Sequence, residues 1–123
     1  MIIGIGSCEK RLDCTDFKTG NFYIPNSVRE GRTIRITRTK NSQVEVVDNE
    51  QTRYGILEWI DDCTYRLTFD ETKMELNEFQ KYINSKNGII VSTLRTDENC
   101  LYYSSIIDEE GESSRIDGIL CRE

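Results

Sequence analysis

An eight-stranded antiparallel up-and-down β-barrel with one short helix is predicted from three observations. Period-two alternation recurs along most of the chain, and a single segment carries helical spacing instead. Alanine, the strongest helix former, is absent from all 123 residues. The clearest strand is Cys63-Thr64-Tyr65-Arg66-Leu67-Thr68-Phe69, in which every odd position is apolar or aromatic and every even one polar. Short antiparallel strands that bury alternate faces must also protect their edges, and closure into a barrel does both. A two-sheet sandwich produces the same alternation and is the architectural alternative.

In chain order, residues 1–13 read as an N-terminal tail and residues 14–123 as one barrel domain, within the usual size of a single unit. Strands are expected at 21–24, 32–38, 43–46, 53–60, 63–69, 88–95, 100–107 and 114–121. Lys40-Asn41-Ser42 turns the second strand into the third, and Asp61-Asp62 turns the fourth into the fifth. Between the fifth and sixth strands, Leu76, Phe79, Tyr82 and Ile83 fall at offsets of three and four. The spacing predicts a helix over 73–86, opened by a Thr72…Glu75 capping box and stopped at Asn87-Gly88.

The five cysteines, at 8, 14, 63, 100 and 121, include no C-x-x-C pair. Without that spacing and without a single histidine, no metal site is expected. Met1-Ile2-Ile3-Gly4-Ile5-Gly6-Ser7-Cys8 is apolar and uncharged, and Ile5-Gly6-Ser7-Cys8 resembles a bacterial lipobox. That likeness marks Cys8 as a lipid-attachment residue, although a basic segment and a full hydrophobic stretch do not precede it here. The other four cysteines are expected to form two disulfides in an oxidising compartment, and three pairings are open to them. Folding the chain between Glu110 and Gly111 sets Cys100 opposite Cys121, which leaves Cys14 with Cys63. Five reduced cysteines acting as small hydrophobes are the alternative.

Charge and motif exclude most chemistry. The net charge of −6 argues against nucleic acid or an anionic membrane surface, both of which need clustered Lys and Arg. Asp48-Asn49-Glu50, Asp61-Asp62 and Asp108-Glu109-Glu110 sit at turns, where acidic residues belong on solvation grounds. A serine or cysteine nucleophile has no histidine base, and neither a nucleophile elbow nor a dinucleotide fingerprint is present. No catalytic residue, metal or cofactor is therefore expected. Arg29, Arg32, Arg35, Arg38 and Lys40 form the one basic cluster, read as an exposed strand face that discourages edge-to-edge pairing.

Gly20-Asn21-Phe22 at the first strand looks like the G-x-W signature of lipocalins, with Phe22 where that family has Trp. Asp62-Cys63-Thr64-Tyr65 after Trp59-Ile60, with a cysteine shortly before Phe17 and Gly20, is similar to small exported lipocalin-like proteins of bacteria. The resemblance implies a lipocalin-like barrel in which an arginine near the last strand, Arg115 or Arg122, packs on Phe22. The interior of such a barrel is either filled by side chains, which short strands favour, or holds one small apolar ligand. Phe22, Ile34, Ile36, Trp59, Tyr65, Leu67, Phe69 and Tyr103 are the expected lining residues. The chain is thus expected to be a monomeric, non-enzymatic exported protein of the cell envelope, lipid-anchored or periplasmic, or secreted. The alternative is an envelope interaction or inhibitor module, similar in kind to small barrel lipoproteins that block lysozyme, acting through loops or the basic strand face.

Overall fold

The computed structural model describes residues 12–25, 34–48 and 50–123. Cys8, Arg29 and Arg32 lie outside them, as does most of the expected tail. Eight strands, β1 (Gly20–Tyr23), β2 (Ile34–Arg38), β3 (Ser42–Val47), β4 (Arg53–Asp61), β5 (Thr64–Phe69), β6 (Ile89–Asp97), β7 (Cys100–Ile107) and β8 (Ile116–Arg122), form a closed barrel in sequence order. Every pairing is antiparallel, and β1 closes on β8 through Phe22 opposite Arg122 and Tyr23 opposite Cys121. The barrel, not the sandwich, is the architecture.

One end is packed shut. A 3-10 turn over Cys14–Phe17, capped by the Asp13 side chain, runs across it. There Phe17, Phe22, Ile36, Leu101 and Leu120 form a buried cluster, with Leu12 against it. Phe17 and Phe22 stack with ring centroids 5.6 Å apart. The Arg122 guanidinium lies over the other aromatic partner, 5.6 Å from the Phe22 centroid, and donates to the carbonyls of Asp16 and Thr19. Gly20 makes room for it: its φ is +124°, and a Cβ there would meet Arg122 Nη1 at 3.0 Å.

Two disulfides reinforce this end. Cys14–Cys63 ties the 3-10 turn to the β4–β5 connection, and Cys100–Cys121 joins directly opposed residues of β7 and β8.

At the opposite end, β5 leads into α1 (Glu78–Ser85). The expected start at residue 73 was too early. Asp70 accepts both the backbone N–H and the hydroxyl of Thr72, which holds Thr72 in a turn. Asn77 and Gln80 supply the reciprocal capping box instead. Leu76, Gln80 and Ile83 are buried, whereas Phe79 and Tyr82 are exposed at 63% and 40%, so the helix buries a narrower stripe than its apolar spacing implied. Asn84 fastens α1 to β5, accepting from Phe69 N and donating to Phe69 O at 2.9 Å each. Residues 108–114 form 3-10 turns about Gly111 at φ 67°, so β8 starts two residues later than expected.

Candidate functional site

Period two decides what faces the lumen. On β2, Ile34, Ile36 and Arg38 share parity and point inward, while Arg35 is exposed beside Glu123, 3.8 Å away. Arg38 is only 5% exposed. Its place in the basic outer face is therefore corrected: Arg35 and Arg38 lie on opposite sides of the same strand.

Above the packed end the lumen opens into a chamber of about 270 Å3. Ile34, Ile36, Leu67, Ile89 and Val91 supply apolar wall, and Tyr65, Tyr103, Gln43, Glu45, Ser105 and Arg38 supply polar groups. A second hollow of about 310 Å3 lies towards α1 and shares Gln43, Glu45, Leu67 and Ile89 with the first. Phe69 and Phe79 line its wall.

Of the residues expected to line a cavity, Ile34, Ile36, Tyr65, Leu67 and Tyr103 line the main chamber and Phe69 lines the second hollow. Phe22 is fully buried in the packed end and lines neither. Trp59 also sits at the closed end, its ring 4.9 Å from Tyr65, its Nε1 donating to the Lys40 carbonyl and Lys18 Nζ over its face. Gln43, Glu45, Arg53, Ile89 and Val91 were missed. Strand parity was the available signal for Gln43 and Glu45, which alternate with Val44 and Val46.

Arg38 is the polar centre of the floor. Its Nε donates to Gln43 Oε1 at 2.9 Å, Nη1 to the Phe17 carbonyl at 2.8 Å and Nη2 to the Tyr65 hydroxyl at 2.5 Å. Its guanidinium carbon lies 4.8 Å from the Tyr65 ring centroid and 5.6 Å from that of Phe22. Tyr103 is the other phenol of the chamber. Its pKa is pushed up to about 12, chiefly by burial and further by Tyr65 and Glu45, against a lowering influence from Arg38. Tyr103 is thus neutral across the physiological range. Glu45 is paired with Arg53 Nη1 at 2.7 Å, and Arg53 Nη2 also meets Glu50 at 2.8 Å.

This arrangement has the means to hold a molecule: apolar wall, a few convergent donors and a closed floor. Among the described residues, no group of three or more cysteines or carboxylates is placed to hold a metal ion. Nor is any helix among them long and apolar enough to cross a membrane. No family profile matches the chain, and neither the curated proteins nor the solved structures contain a match to it.

Proposed function

We infer that the chain is a non-enzymatic, lipocalin-like exported protein that holds a small apolar ligand in its barrel. The observation that carries this reading is the chamber of about 270 Å3 above a fully packed floor. An eight-stranded barrel has room for either filling side chains or one small ligand, and here the side chains fill one end and leave the middle open. The packing of Arg122 on Phe22, with Gly20 beneath, supports the lipocalin-like reading. Export is supported by the two disulfides, which belong to oxidising compartments. The interaction-module alternative draws less support, because Arg38 is withdrawn from the basic face on which it relied.

Titration with an apolar fluorophore whose emission rises in a dry environment tests the reading. The protein is expected to bind one equivalent, and Leu67→Trp, which narrows both hollows, is expected to weaken the signal while the fold is retained. No binding, or binding undiminished in the narrowed variant, would overturn the ligand reading. Thiol alkylation of protein taken from its own cells without reductant tests export: blocked cysteines are expected, and free ones would contradict it.

A further inference from the structure

The chamber floor carries a positive charge that no carboxylate among the described residues contacts. Arg38 is 5% exposed, and its three acceptors are an amide oxygen, a backbone carbonyl and a phenol, all neutral. No carboxylate among the described residues lies within ion-pair distance of it, and two of its five N–H groups have no acceptor among them. A buried cation is costly unless it is paired, because the interior weakens solvation more than three neutral hydrogen bonds restore it. The one acidic side chain in the chamber wall, Glu45, is already met by Arg53 at 2.7 Å. Tyr65 accepts a hydrogen bond from it, and Tyr103, the other phenol of the chamber, is held neutral by burial.

We propose that Arg38 anchors the carboxylate of an aliphatic monocarboxylic acid whose hydrocarbon tail lies in the chamber. The planar guanidinium suits a carboxylate, which accepts from two N–H groups at once. Ile34, Ile36, Leu67, Ile89 and Val91 suit the tail. Size sets the class. A volume of about 270 Å3 has room for roughly nine heavy-atom groups at the ~30 Å3 that a water-sized group occupies, so a medium-chain acid fits this chamber and a longer tail would enter the second hollow. The acid would leave its tail end facing the second hollow towards α1, where Phe69 and Phe79 continue the apolar wall.

This proposal rests on the ligand reading above, and its test separates the two. Octanoate, 1-octanol and octylamine are titrated calorimetrically against the unmodified, oxidised protein. Octanoate is expected to bind about tenfold or more tighter than octanol, the scale of one charge-assisted hydrogen bond. Octylamine is expected to be the weakest. In a folded Arg38→Gln protein, octanoate should fall to the affinity of octanol while octanol is unchanged. If octanol binds as tightly as octanoate, the anchor fails and the apolar chamber survives. If none of the three binds, both readings fail. The head-group comparison needs no variant, so a misfolded Arg38→Gln protein does not shield the proposal.

Discussion

The Arg122 guanidinium covers the Phe22 ring at 5.6 Å while donating to the Asp16 and Thr19 carbonyls, and so clamps the barrel's last strand to its first. The clamp matters because β1 meets β8 over only two residue pairs, the shortest seam in the barrel. Replacing Arg122 with Met keeps the stem and removes the charged hydrogen bonds, and is expected to cost about 1–3 kcal/mol. Gly20→Ala is expected to cost a similar amount, about 1–3 kcal/mol, since Ala is strained at φ +124° and its Cβ would press on Arg122. Urea unfolding of both variants and of the double variant checks this. The two effects should fall short of additive, because they break the same contact.

Packing differs between floor and chamber, and truncations should report it. Phe22→Ala removes a fully buried ring from the closed end, with an expected cost of about 3–5 kcal/mol. Phe69→Ala removes a half-buried ring that already borders a hollow, and is expected to cost clearly less. Equal losses in chemical denaturation would mean the barrel is filled throughout.

Removing either disulfide as a paired Cys→Ala variant is expected to lower stability by about 2–4 kcal/mol. Cys14–Cys63 should contribute more, because it closes 49 residues against 21 for Cys100–Cys121 and ties the 3-10 turn of the floor to the β4–β5 connection. Thermal melts with and without reductant check the order.

Alkaline titration isolates Tyr103. Its phenol is raised from 10.0 to about 12, so the folded state holds this proton more tightly than the unfolded chain does. The resulting stabilisation is fully present below about pH 10 and is lost as pH rises towards about 12. Tyr103→Phe should flatten that alkaline decline, and the ultraviolet signal of one late-titrating phenolate should vanish with it.

Acid acts on a different group. The hydrogen bond from Arg66 Nη1, 2.6 Å, and a second from Asn87 hold the Asp108 carboxyl below its ordinary value. Stability from this carboxylate is present above the unfolded pKa of about 4 and disappears as pH falls through the lower folded value. Asp108→Asn should reduce stability at neutral pH, and the gap to wild type should narrow as acid protonates the carboxylate, measured by melting temperature against pH.

Much of this architecture was readable in strand period. The eight strands stand close to their expected places because alternation encodes which face is buried, and the Cys100–Cys121 register follows from a turn centred on Glu110-Gly111. Closure followed from the need to protect strand edges and not from any pattern at the seam itself, since β1 meets β8 over two residue pairs that a sandwich would not alter in sequence. The helix start was misplaced because Thr72…Glu75 and Asn77…Gln80 offer rival caps, and an Asx turn at Asp70 settles the competition. Arg38 was legible in principle, two residues beyond Ile36 and therefore on the same face, but its charge argued for solvent. The chamber itself was not legible, because its volume depends on how side chains from opposite walls meet across the lumen.

Methyl NMR during ligand titration tests the central claim most directly. Octanoate is expected to shift the methyl signals of Ile34, Ile36, Leu67, Ile89 and Val91, which line the chamber, and to leave the exposed Val46, Ile56 and Ile116 unmoved. Shifts confined to the exposed methyls, with the lumen silent, would contradict a ligand held inside the barrel.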